Sequence, residues 1–103
     1  MEKFDIQITQ RAFADLKECV LFVNNVSNEA AIGLHKEIME AISNLRFFPN
    51  AYPDIEGLTI GGLKIKRMPI QNGRYIVLYK ICNNVVTVLY IVDSRKDNSI
   101  LKL

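Results

Sequence analysis

Six cations in the second part of this chain are spaced so that they could act together. Lys64 and Lys66 stand two apart in the run LKIKRMPI, and Arg67 follows them. Arg74 comes directly after an Asn-Gly pair. Arg95 and Lys96 lie in DSRKD, Asp93 to Asp97, where the apolar run VVTVLYIV stops abruptly in charge. The planar fork of arginine binds phosphate oxygens two at a time, and lysine adds a point charge. Such a set would grip a phosphate-bearing or acidic ligand. On a strand, Lys64 and Lys66 would share one face and Arg67 would take the other. The same residues also suit a plainer role. Lysines on a solvated strand blunt an exposed sheet edge, and Arg95 could close a turn by pairing with Asp93 or Asp97. Spacing alone leaves both readings open.

Charge divides the chain in two. Residues 1–60 carry five Lys and Arg against nine carboxylates, whereas residues 61–103 carry eight against two. The net charge of +2 is too small to mark a nucleic-acid binder by itself. An acidic or phosphate-bearing partner would nonetheless meet the second half.

Other chemistries find less support. Tyr75, Val77, Tyr79 and Ile81 would share one strand face, with Tyr90 on the neighbouring strand. That pattern suits core packing, or alternatively a platform for stacked nucleobases. His35 is the only histidine and has no partner at ligand spacing, so no metal site is expected. Cys19 and Cys82 also lack metal-type spacing and read as two small buried hydrophobes without a disulfide. GLTIGGLK is not a dinucleotide fingerprint. There is no phosphate loop, nucleophile elbow or acid pair, so neither a cofactor nor a small-molecule substrate is expected.

The elements that must position these residues follow from periodicity. Phe4, Ile6 and Ile8 alternate in FDIQIT as a half-buried strand does. Thr9 can cap a helix carrying Ala12, Phe13, Leu16, Val20 and Val23 at helical spacing, ending near Asn24-Asn25. Ser27 or Asn28 can cap a second helix with Ala31, Leu34, Ile38, Ala41, Leu45 and Phe48 on its stripe. The short break makes the pair an antiparallel hairpin. Pro49 and Pro53 open a loop that Gly57, Gly61 and Gly62 punctuate. Three strands follow, Leu63–Ile70, Arg74–Ile81 and Val85–Val92, joined by two-residue turns at Asn72-Gly73 and Asn83-Asn84. The last two are apolar on both faces and belong in the middle of a sheet. The reading is thus a single α+β domain over residues 1–103: a strand, a two-helix antiparallel hairpin and a three-stranded antiparallel meander. MEKFDIQIT has no apolar signal segment, and no run of 18 apolar residues could span a membrane, so a cytoplasmic protein without a membrane partner is expected.

Three features together resemble the RelE/ParE superfamily of bacterial type II toxins. They are the early helix RAFADLKECVLFV, the long helix EAAIGLHKEIMEAISNLRFFPNAYP with Leu45 and Pro49, and the strand pair GRYIVLYKI and VVTVLYIVDSRKD. The resemblance spans residues 4–97. It implies two helices on an antiparallel sheet, and a cognate antitoxin protein that wraps the toxin and covers its basic face. It also implies a target. RelE-like members cut mRNA on the ribosome with lysines, arginines and a late Tyr or His. Here Lys64 and Lys66 look like the lysine pair, and Arg74 and Arg95 fall near the two arginines. Leu101 stands where that tyrosine would be expected, and no histidine lies in the C-terminal half. ParE-like members bind and inhibit DNA gyrase without chemistry of their own, and the long helical hairpin and GRYIVLYK look more like this branch. In that mode Lys64, Lys66, Arg74 and Arg95 would bind the target, along with Arg67, Tyr75, Lys96, Asp93 and Asp97. Asp93 or Asp97 would orient Arg95. A non-toxic small RNA-binding module is the reading from a different class, and toxicity on expression separates it from the others.

Overall fold

The computed structural model describes residues 3–96. Their elements run β1 (Asp5–Ile8), α1 (Gln10–Asn24), α2 (Asn28–Asn44), β2 (Asp54–Ile60), β3 (Leu63–Ile70), β4 (Tyr75–Cys82) and β5 (Val85–Asp93). The strands make one sheet in the order β1-β5-β4-β3-β2. β1 pairs parallel with β5, and the other pairings are antiparallel. The α+β class, the opening strand, the helical hairpin and the closing meander are as the sequence implied. β4 lies at the centre of the sheet.

One strand is additional. β2 occupies a stretch that its glycines and prolines marked as loop. Those glycines instead serve the strand. Gly61 and Gly62, at φ +61° and +78°, turn β2 into β3 in two residues, a turn whose left-handed backbone matches strand twist. The pairing between β2 and β3 is irregular from Asp54 to Thr59, so the glycine at 57 marks a bulge. Ile55, inside that stretch, is buried. Pro69 does not break β3. The β2 partners of β3 run only from Leu63 to Lys66, so beyond them the missing N–H faces no strand.

Both helices begin where expected. The Thr9 hydroxyl accepts from the Ala12 N–H, and the Ser27 hydroxyl from the Ala30 N–H. α1 ends at Asn24, as its pattern indicated. Three expectations fail. Phe13 is exposed because α1 buries Ala12, Leu16 and Cys19 instead, a stripe rotated by one position. Phe48 is exposed because α2 stops at Asn44, before the helical spacing reaches it. Cys82 is exposed at the end of β4, next to the Asn83 turn, whereas Cys19 is buried.

Two apolar layers result. On the helix side, Leu16, Leu34, Ile38 and Ile42 pack on Met68, Tyr75, Val77, Tyr79, Val86 and Val88. On the far side of the sheet, Ile55, Ile65, Ile76, Leu78 and Val92 form a second cluster. β1 covers only Val85 to Val88 of the neighbouring strand. Past that point α1 takes over. The Asp15 carboxylate accepts the Ile91 N–H at 3.0 Å, and Arg11 holds Asp15 at 2.9 Å. An otherwise open strand edge is thereby satisfied by a side chain.

Candidate functional site

The β3–β4 connection sets the position of Arg74. Ile70 pairs with Tyr75, so the loop has four residues, Gln71 to Arg74, rather than the two-residue turn expected at Asn72-Gly73. Gln71 and Asn72 both take positive φ, at 54° and 59°. Arg74 is therefore the last loop residue and not the first of the strand. Ser94, one residue past β5, staples this loop. Its hydroxyl has one proton to share between the Gly73 carbonyl at 2.7 Å and the Arg74 carbonyl at 3.0 Å, and its N–H donates to the Arg74 carbonyl at 3.0 Å. Ser94 carried no motif, and only its place beside Arg95 could have drawn notice to it.

Asp93 sets the position of Arg95. It is 9% exposed and is the only buried charged residue among the described residues. Its carboxylate accepts the Arg95 backbone N–H at 3.0 Å and two N–H groups of the guanidinium at 3.2 and 3.1 Å. Burial alone would push this carboxyl up. The hydrogen bonds and positive charge of Arg95 outweigh burial and hold it below its ordinary range. The same pair raises the Arg95 guanidinium further, so it stays a cation. Lys96 lies over the Phe22 ring, 3.7 Å from its centre. Asp97 lies outside the described residues.

Arg74 and Arg95 line one groove, between the tip of the helical hairpin and the end of the sheet. Phe22, Val23, Val26 and Leu34 form the helix side, and Tyr75 lies at the sheet side. Tyr75 is a core residue, 2% exposed, whose phenol is raised first by burial and then by Asp93. Behind it, burial pushes the Cys19 thiol up to about 11, so Cys19 is a neutral packing group.

Lys64 and Lys66 are elsewhere. Lys66 pairs with Tyr79, four residues along β4 from Tyr75, or about 13 Å at strand rise. Its ammonium is 3.0 Å from Asp54 and donates to the Tyr52 carbonyl at 3.2 Å. Beside it, the buried Tyr79 hydroxyl donates to the Pro49 carbonyl at 2.7 Å. Together they pin the segment between α2 and β2. Lys64 reaches the same Asp54 at 4.0 Å from an exposed position. Arg67 is half-buried and, by strand alternation, on the opposite face. His35 lies on the outer side of the hairpin near Leu21 and Ile32.

The structure thus brings Arg74, Arg95, Asp93 and Tyr75 together and sets Lys64, Lys66 and Arg67 apart from them. The sequence reading missed Phe22 and Val26. Their signal was present, since α1 is apolar at 19 through 23, wider than one buried stripe requires.

A family model described as ParE toxin of type II toxin-antitoxin system, parDE, matches residues 6–98. Among curated proteins, none matches the chain. Among solved structures, a chain of the chromosomal ParDE TA system from P. aeruginosa is similar, with a TM-score of 0.70 at 16% identity. The match covers 90% of this chain and 98% of that one, and it establishes the shared fold.

Proposed function

This chain belongs to the family of ParE toxins of type II toxin–antitoxin systems, and from that premise we propose that it blocks growth by binding DNA gyrase and is neutralised by a cognate antitoxin protein. It works by contact and not by bond-breaking. One observation carries this reading: the cations that a phosphodiester-cleaving site would gather are divided between two ends of the sheet. Lys66 is held by Asp54 and the Tyr52 carbonyl, about 13 Å along the strand from the loop of Arg74. Transition-state stabilisation needs its charges converged on one reacting group. Arg74 and Arg95 instead flank an apolar groove, the arrangement of a binding face.

No helix among the described residues is long and apolar enough to cross a membrane. The proposed place of action is the cytoplasm, where gyrase and the antitoxin are met. The test is induced expression in bacteria that lack an antitoxin, with pulse labelling of DNA and protein synthesis. DNA synthesis should stop first, with filamenting cells and gyrase trapped on DNA. Early collapse of protein synthesis with cuts in translated mRNA would overturn the reading in favour of ribosome-dependent cleavage. Unimpeded growth at full expression would overturn toxicity itself.

A further inference from the structure

The groove at the hairpin tip has chemistry that names its occupant. It encloses about 280 Å³, just below the range of ligand pockets and large enough for one bulky side chain. Its helix wall is apolar and open: Phe22 is 46% exposed and Val26 86%. Its sheet wall is cationic. Arg74 is exposed and makes no side-chain hydrogen bond or ion pair among the described residues. Arg95 is held in place by two hydrogen bonds from one edge of its fork to Asp93, which leaves the rest of the guanidinium to donate outward. Lys96 lies over the Phe22 ring but lines the neighbouring pocket, with Arg11, Asp15 and Asp93.

We propose that this groove seats an acidic peptide segment of a protein partner, with one large apolar residue in the pocket and an adjacent carboxylate on Arg74 and Arg95. The inference deepens the toxin reading by giving the chemistry of the partner segment, and it rests on that reading only for the partner's biological role. Charge complementarity selects the carboxylate. An apolar wall facing two guanidiniums selects an amphipathic occupant, since a bare anion would leave Phe22 and Val26 in water. Arg95 is preorganised by Asp93, so binding orders little more than Arg74 and the peptide. A nucleic acid would instead want its cations spread along a backbone track with exposed stacking faces. The groove gathers its cations on one rim, Tyr75 is buried, and Phe22, its one exposed ring, already has Lys96 over one face.

The test is selection of a random peptide library, displayed on phage, against the full chain. Affinities of the enriched peptides are then measured by fluorescence polarisation. The expected consensus is Asp or Glu beside Leu, Ile, Phe or Trp. Arg74→Ala and Val26→Asp should each weaken the selected peptide about tenfold or more, and added salt should weaken it for the parent chain. Lys36→Ala removes an equal charge from exposed α2 and should leave affinity unchanged. Failure to enrich any sequence, a consensus lacking the acid or the anchor, or affinities indifferent to both groove substitutions would overturn the proposal. Circular dichroism confirms that these surface variants fold. A harmless chain that still selects acidic apolar peptides would sink the toxin reading alone. A toxic chain that selects none would sink the groove alone.

Discussion

The two ends of the β3–β4 hairpin carry the same residue types and use them oppositely. At one end, Lys66 faces Asp54 and a backbone carbonyl, and its side chain is only 17% exposed. At the other, Arg95 faces Asp93 but keeps 43% of its side chain in solvent, with Arg74 beside it. Both ends pair a cation with a carboxylate. The difference is which partner is buried. Asp54 is more open than its lysine, so the pair turns inward and ties down a loop. Asp93 is more buried than its arginine, so the pair turns outward and displays the guanidinium. A basic residue serves a surface when its counter-charge lies beneath it, and serves the fold when the cation itself lies beneath.

The largest effect expected from breaking this contrast is at Asp93. Asp93→Ala removes the acceptor of three hydrogen bonds and should cost about 1–3 kcal/mol, read as a lower urea midpoint. Toxicity should fall further than folding does, because Arg95 loses its orientation. The pH dependence has a definite sign. The folded carboxyl is held below its unfolded value of about 3.8, so its contribution is full above that value and is lost as pH falls through the folded one. Asp93→Asn should therefore flatten the acid limb of stability against pH and leave its shape near neutrality unchanged. An acid limb identical in both proteins would show that the pair contributes nothing to folding.

Lys66→Met comes next. It leaves Asp54 and the Tyr52 carbonyl without their donor while keeping the stem's packing. Asp54 is partly in water, which limits the cost to about 1 kcal/mol. Toxicity per folded molecule should not change. A variant that folds normally yet loses toxicity would make Lys66 a catalytic or target-contacting group and would break the comparison. Ser94→Ala should cost about as much, through loss of the hydroxyl proton shared between the Gly73 and Arg74 carbonyls. Unlike Lys66→Met, it should also weaken the groove, because it frees the loop that carries Arg74.

The fold was largely legible because its signals are local. Thr9 and Ser27 cap the helices they were read to cap, and the alternation in β1 and the apolar runs of β4 and β5 give their place in the sheet. β2 was hidden because its glycines signal loop at short range, and only pairing with β3 turns them into a hairpin and a bulge. The site was legible in part. DSRKD announced Arg95 and its acid, since a partner two residues away is a sequence-range contact. The division between Lys66 and Arg74 was not readable. It depends on a four-residue loop, and on Asp54 lying across a strand that periodicity did not reveal. Phe22 and Val26 needed the helix orientation, which Phe13 shows had been set one position off.

The smallest effects on stability give the sharpest contrast. Lys64 is 77% exposed at 4.0 Å from Asp54, and Arg74 is exposed with no side-chain partner among the described residues. Substitution of either by Ala should move stability by no more than about 0.5 kcal/mol. Both remove one positive charge, so the net field of the protein changes equally. If long-range attraction of an acidic partner were all that these cations supplied, the two variants would lose toxicity to the same small degree, and salt would erase the loss. If position decides, Lys64→Ala should stay fully toxic while Arg74→Ala is attenuated. Arg74→Lys should recover little, because an ammonium cannot reproduce the planar fork. Growth curves of the three variants at matched expression make that measurement. Equal attenuation in Lys64→Ala and Arg74→Ala would show that the two ends of the hairpin share one function despite their opposite construction.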